Sequence, residues 1–304
     1  MGLKVENIKK IYGDKIAVNN ISFEIEEPGV FGLLGTNGAG KTTTIRMILG
    51  IIRKDEGKIT WNDREVIREN VNFGYLPEER GIYAKIKIYD QLAYFAELKG
   101  MDKTAADKAI KYWMDRLKLE EYTDMTAEKL SKGNQQKVQF VTAVINDPEL
   151  VVLDEPFSGM DPVNTELLKD VILELVGKGK YIVMSAHQMA SIEEFCKDII
   201  IINKGKSVLQ GNLNNIKNSY PSNTVELITK DCMGGQNSPE ELIASLNLKI
   251  KESRENHYEI GITEEKQGYE LYKLLADRGI QVIKFEIKKP SLNEIFIEKV
   301  GENE

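Results

Sequence analysis

The chain is poor in the residues that staple a fold, bind metal or cross a membrane. In 304 residues it has two cysteines, Cys196 and Cys232, and two histidines. The cysteines show no metal-type spacing, and a disulfide framework is implausible at this length, so a reducing setting is expected. No apolar run approaches the length of a membrane span; Ile199-Ile200-Ile201-Ile202 is typical of the longest. Any work at a membrane therefore needs a partner to supply the spanning part. The opening Met1-Gly2-Leu3-Lys4-Val5-Glu6 has no apolar core for a signal peptide, and Glu6 stands where a myristoylation site would want Ser or Thr. Long blocks of like charge are also missing, and the net charge is −7, which argues against a sequence-independent nucleic-acid binder. The remaining composition, 41% hydrophobic and 29% charged, is ordinary for a globular protein of about two domains.

The most informative stretch is Gly35-Thr36-Asn37-Gly38-Ala39-Gly40-Lys41-Thr42, followed by Thr43. It fits Gly, four residues, Gly-Lys-Thr, the loop whose backbone N–H groups cradle phosphates. The apolar segment 29–34 before it reads as a buried strand, and 43–50 after it as a helix closed by glycine. A helix N-terminus there favours an anion, Lys41 can reach the β- and γ-phosphates, and the Thr42 hydroxyl can ligate Mg²⁺. Leu150-Val151-Val152-Leu153 is a second buried strand, closed by Asp154 and Glu155. Asp154 would hold Mg²⁺ and Glu155 would orient the attacking water or accept its proton.

Between these strands the spacing predicts a helical insert over about 88–146, with Asp102 capping one helix and another starting near Ser131. Strands are expected at 3–8, 17–25, 57–61, 71–78, 181–185, 199–203 and 206–209, with Tyr12 in a turn and helices at 165–178 and 189–197. Composition shifts at Gly211–Asn215 and again at Asn218–Asn223, so the domains expected are 1–218 and 222–304. The second reads as a small α+β unit, with strands near 224–229, 247–252, 257–262 and 281–287 and helices near 239–246, 265–278 and 291–299.

Further stretches resemble one family. Leu130-Ser131-Lys132-Gly133-Asn134-Gln135-Gln136 resembles the signature of ATP-binding cassette (ABC) proteins, Ser185-Ala186-His187 their switch histidine, Tyr12 their adenine-stacking aromatic, and Ser158-Gly159-Met160-Asp161 the loop after their catalytic glutamate. Alone, Tyr12 would read as a packing aromatic and His187 as a polar turn residue; the order of the motifs over residues 1–218 reverses both readings. Glu78-Glu79-Arg80-Gly81-Ile82-Tyr83 and Pro290-Ser291-Leu292-Asn293-Glu294-Ile295-Phe296 resemble ABC-2 type exporter cassettes with a small C-terminal domain.

The resemblance implies an α/β fold of the P-loop NTPase class: a mainly parallel core sheet, an antiparallel β subdomain and a helical insert, followed by the α+β domain. It implies ATP and Mg²⁺ as cofactors, a second cassette as partner in a head-to-tail dimer, homo- or hetero-, and a separate integral-membrane permease that holds the chain at the cytoplasmic face of the membrane. Glu155, His187, Glu78 and Lys41 would be catalytic. Tyr12, Gly35 to Thr43, and Ser131 and Gly133 of the partner cassette would bind nucleotide. Thr42, Asp154 and Glu78 would hold the metal. Glu78 stands where the family usually has Gln, and Lys132 and Asn134 replace Gly and Gln in the signature; Lys132 either adds a cation near the partner's triphosphate or faces solvent. Ile82 and Tyr83 are either docking anchors for the permease or ordinary core. The rival readings are a cassette protein acting on a ribosome or another macromolecule, and an ATP-sensing regulator. Neither the transported substrate nor the role of the tail is legible.

Overall fold

The computed structural model describes every residue except 1, 67–70, 80, 188, 231–237 and 302–304, so Cys232 and Arg80 lie outside the described residues. The chain forms two compact units, Met1–Asn212 and Leu213–Glu304.

In the first unit the strands β1 (Leu3–Tyr12), β2 (Lys15–Ile25), β4 (Glu56–Trp61) and β5 (Arg64–Glu65) form an antiparallel sheet in the order β2-β1-β4-β5. Tyr12 was expected in a turn but is the last paired residue of β1, opposite Lys15, because the hairpin turn is confined to Gly13 and Asp14. A second sheet holds β3 (Gly29–Leu34), β6 (Phe73–Leu76), β7 (Leu150–Asp154), β8 (Tyr181–Ala186), β9 (Asp198–Asn203) and β10 (Lys206–Asn212). Its order is β10-β9-β3-β8-β7-β6, parallel throughout except that β10 runs antiparallel to β9. All five residues of β7 are buried, as an unbroken apolar strand covered on both faces must be. Phe31, Leu33, Leu150, Val152, Val183, Ile200 and Ile202 point from this sheet toward Val5, Ile21, Phe23 and Ile59 of the antiparallel one, and Ile45 and Ile48 of helix α1 (Lys41–Ile48) complete that core.

The insert contains α2 (Ile88–Leu98), α3 (Lys103–Arg116) and α4 (Lys132–Val144). The Asp102 side chain caps α3 by accepting from the Ala105 N–H, and Ser131 caps α4 by accepting from the Asn134 N–H. Helix α5 (Pro162–Gly177) starts at the Asp161 cap, and α6 spans only Ala190–Glu193. The expected helix 189–197 ends early because Lys197 N–H donates to Val30 O, drawing the chain into the sheet.

The second unit opens with α7 (Leu213–Ser219), a stretch whose asparagines read as a linker but whose Leu213 and Ile216 are buried three residues apart on one helical face. There follow β11 (Thr224–Thr229), α8 (Pro239–Ser245), β12 (Lys249–Arg254), β13 (His257–Gly261), α9 (Glu265–Asp277), β14 (Val282–Lys288) and α10 (Leu292–Gly301). The sheet order β12-β13-β11-β14, all antiparallel, makes β11 to β14 a split βαββαβ unit. Val225, Leu227, Tyr258 and Ile260 face Leu242, Ile243, Leu271 and Leu275 of the two helices.

Candidate active site

Parallel pairing brings the carboxyl ends of β3, β7 and β8 level: Leu34 lies opposite Ala186 and Asp154 opposite Ser185. The loops leaving these ends carry the chemistry, as the carboxyl edge of an open α/β sheet generally does. A cavity of about 660 Å³ opens there, lined by Tyr12, Lys15, Ile16, Ala17, Thr36, Asn37, Gly38, Gly40, Lys41, Thr42, Thr43, Glu78, Glu155, Lys204 and Gly205.

Glycine is required at two points of the loop from Gly35 to Thr42. At Gly35, with φ 151°, an added Cβ would lie 2.2 Å from Ile202 O. At Gly40, with φ 111°, it would lie 2.6 Å from Ala17 O. Gly35 and the buried Ala39 thus shape the loop rather than line the cavity. The loop is also tied to distant segments, since Gly205 N–H donates to Ala39 O and Asn19 N–H to Gly205 O. Gly40 caps α1, so the first free N–H groups of that helix face the cavity.

Lys41 is 6% exposed, and its ammonium donates to Gly35 O at 2.8 Å and Thr36 O at 3.3 Å. It also stands 3.5 Å from Glu155 Oε1. Glu155 has φ 53°, a left-handed backbone that costs a non-glycine residue of order 1–3 kcal/mol and clusters at functional sites. Its N–H donates to Ser185 Oγ at 3.0 Å, and the same hydroxyl donates to Asp154 Oδ1 at 2.5 Å. His187 Nδ1 lies 2.8 Å from Glu155 Oε2, while Glu155 Oε1 has no hydrogen-bond partner among the described residues.

Asp154 is fully buried, and Oδ2 has no hydrogen-bond partner among the described residues. Burial pushes its carboxyl pKa up, against the opposing pull of the Ser185 and Thr42 hydroxyls. At the cavity mouth Tyr12 is 50% exposed, with Lys10 Nζ 5.4 Å from its ring centroid.

The structure therefore brings Tyr12, Thr36, Asn37, Gly38, Gly40 to Thr43, Glu78 and Glu155 to one cavity, with Asp154 and His187 against its carboxylate wall, while Gly35 and Ala39 shape the loop behind it. It does not bring Ser131 and Gly133 there. They start α4 instead, where a Cβ on Gly133 would stand 3.6 Å from Asn164 Nδ2 and 4.0 Å from Met160 Cα. Sequence reading missed Ser185 as the joint between Asp154 and Glu155. It also missed the lining residues Lys15, Ile16, Ala17, Lys204 and Gly205, whose approach is a matter of tertiary contact.

Residues 18–158 match the ABC transporter family, and 211–300 match the family described as ATP-binding protein DrrA1-3-like, C-terminal domain. The ABC transporter ATP-binding protein YhaQ of Bacillus subtilis (strain 168) is 45% identical over 98% of each chain. Nod factor export ATP-binding protein I of Burkholderia lata is 33% identical over 67% of this chain and 69% of its own. A solved ATP-binding subunit of an ABC transporter superposes with TM-score 0.67 at 28% identity, covering 72% of this chain and 93% of that one.

Proposed function

The chain belongs to the ATP-binding proteins of ABC transporters, and from that premise we propose that it powers export through a separate membrane permease as one of two cassettes closing head to tail on shared ATP. Hydrolysis of ATP is the family's activity, and the cavity has the groups for it. No helix among the described residues is long and apolar enough to cross a membrane, so the permease carries the spanning part.

The observation that carries the reading is the state of Glu155. Oε2 is engaged by His187, while Oε1 accepts no hydrogen bond among the described residues and stands 3.5 Å from the Lys41 ammonium. Oε1 is thus the atom that accepts a proton from water attacking the γ-phosphate, while His187 fixes the plane of the carboxylate. Lys41 and the N–H groups of the loop bind the β- and γ-phosphates, and Tyr12 stacks on the base. The donor set fits Mg²⁺: the buried Oδ2 of Asp154, without a hydrogen-bond partner among the described residues, the nearby Thr42 hydroxyl and the Glu78 carboxylate are all hard oxygen ligands. When bound, the ion neutralises charge on the β- and γ-phosphate oxygens.

The head-to-tail arrangement is supported by the separation of Ser131 and Gly133 from their own chain's cavity. A second copy would present the N-terminus of α4 to the γ-phosphate. An exposed apolar patch follows Glu78: Tyr83 (51% exposed) stacks on Phe95, Tyr94 (52%) meets the same ring edge-on, and Ile86 and Leu98 are also exposed. Such a patch suits a permease contact. The test of the dimer is Glu155→Gln, which removes the proton acceptor while leaving binding intact. With ATP the variant is expected to sediment as a dimer and without ATP as a monomer. A variant that stays monomeric at saturating ATP, with no related cassette co-purifying, sinks the arrangement.

A further inference from the structure

Three glutamines on α4 each spend a side-chain amide on a backbone carbonyl outside the helix. Gln135 Nε2 donates to Ala127 O and Leu130 O, and Gln136 Nε2 to Pro156 O, the carbonyl that follows Glu155. Gln139 Nε2 donates to Pro77 O at 3.2 Å and Glu79 O at 3.0 Å, one on each side of Glu78. Gln139 is only 2% exposed, and its own Oε1 is buried with no hydrogen-bond partner among the described residues.

That unpaired acceptor is informative. A buried amide oxygen without a donor opposes folding, and so offsets part of what the two N–H bonds contribute to stability. What only the amide supplies is its pair of N–H groups, which grip both carbonyls around Glu78. The helix behind the grip is itself held firmly. Gly74 of β6 lies against α4, where a Cβ would come within 2.2 Å of Ala143 O, and Lys99 Nζ donates to Thr142 O and Ala143 O at the far end of the helix.

We propose that Gln139 is a positioning residue: it fastens the loop carrying Glu78 to the helix that begins at Ser131 and so sets where the Glu78 carboxylate stands in the cavity. Gln136, one turn earlier, fastens the same helix to the segment after Glu155, so one face of α4 indexes both cavity carboxylates to Ser131. The inference rests on Glu78 acting at the nucleotide, as proposed above.

The test is Gln139→Met in the full chain, which matches the volume, removes both donors and removes the unpaired oxygen. kcat for ATP is expected to fall at least tenfold with KM for ATP within twofold, because the loop at Gly35–Thr42 still holds the nucleotide. Hydrogen exchange at the Glu78 and Glu79 amides is expected to quicken severalfold, and the midpoint of thermal unfolding to fall by no more than a few degrees. A purely structural glutamine would lower the midpoint while leaving kcat and exchange unchanged, and that result overturns the proposal. So does a folded variant identical to the parent in all three. Gln139→Ala is read by the same criteria should the Met variant not fold. Glu78→Ala separates the premise: if it keeps the parental kcat, Glu78 has no role at the nucleotide, whereas faster exchange in Gln139→Met still reports the grip.

Discussion

Removing the Ser185 hydroxyl tests the site most sharply, because that one oxygen serves two strands. It donates to Asp154 Oδ1 and accepts from the Glu155 N–H, and the residue is fully buried. Ser185→Ala leaves an acceptor and a donor unsatisfied where water cannot easily replace the hydroxyl. Each such group costs about 1–3 kcal/mol, so a combined loss of about 2–6 kcal/mol is expected. For a domain of this size that lowers the unfolding midpoint by roughly 5–25 °C. A functional loss should accompany the structural one. Glu155 holds a left-handed backbone, φ 53°, and its N–H bond to Ser185 helps to keep it there. Freed, the peptide can relax and carry the carboxylate away from the attacking water. A misplacement worth 1.4–2.8 kcal/mol lowers kcat about 10–100-fold. ATP affinity, measured by calorimetry, should change little, since the loop at Gly35–Thr42 is untouched. Ser185→Thr keeps both hydrogen bonds and should retain most of kcat despite its extra methyl. The reasoning is refuted if Ser185→Ala keeps kcat within twofold of the parent, or if it loses ATP binding in step with kcat.

Two further outcomes concern the phosphate loop and the second unit. Gly40→Ala should abolish ATP binding by calorimetry while the chain stays folded by circular dichroism, because its Cβ would meet Ala17 O at 2.6 Å and its φ of 111° disfavours any side chain. In the second unit Lys284 and Lys288 donate hydrogen bonds to Glu226 and hold its carboxyl at about 2, below the ordinary 4.5. The folded-state value is the depressed one, so the stabilisation is complete above pH 4.5 and lost as pH falls toward 2. The displacement corresponds to about 3 kcal/mol, reduced to ~1–2 kcal/mol by screening at the partly exposed lysines. Glu226→Gln should therefore lower the unfolding midpoint of the full chain at pH 7 and flatten its decline between pH 4.5 and 2.

What the sequence made legible is whatever chemistry writes into adjacent residues. The loop from Gly35 to Thr42 needs its glycines in order, so its spacing is readable. The unbroken apolar run Leu150–Leu153 marks a strand covered on both faces, and Asp102 and Ser131 announce helix starts by their type. The α+β character of the tail was also readable, and its strands β11 to β14 and helices α8 and α9 lie within two residues of the spans expected. The order β12-β13-β11-β14 was not, because pairing between strands tens of residues apart leaves no local trace. Helix α7 was misread since two buried apolar residues, Leu213 and Ile216, outweigh three asparagines only in the presence of a surface to bury them. Ser185 looked like a neighbour of His187 in a motif. Its role depends on β7 and β8 being level, which register alone decides.

The tie between Gly205, Ala39 and Asn19 has a consequence for biogenesis. The floor of the phosphate loop is completed by a turn translated more than 160 residues after the loop itself. β3 likewise pairs only with β8 and β9, both made late. Closing such long segments makes for slow folding, and emerging chains with exposed strand edges are aggregation-prone. A ribosome-bound fragment ending before Gly205 would hold every residue from Gly35 to Thr42 and still lack the support that shapes them. On this geometry ATP would not be expected to steady the nascent cassette until the β9–β10 turn has left the ribosome.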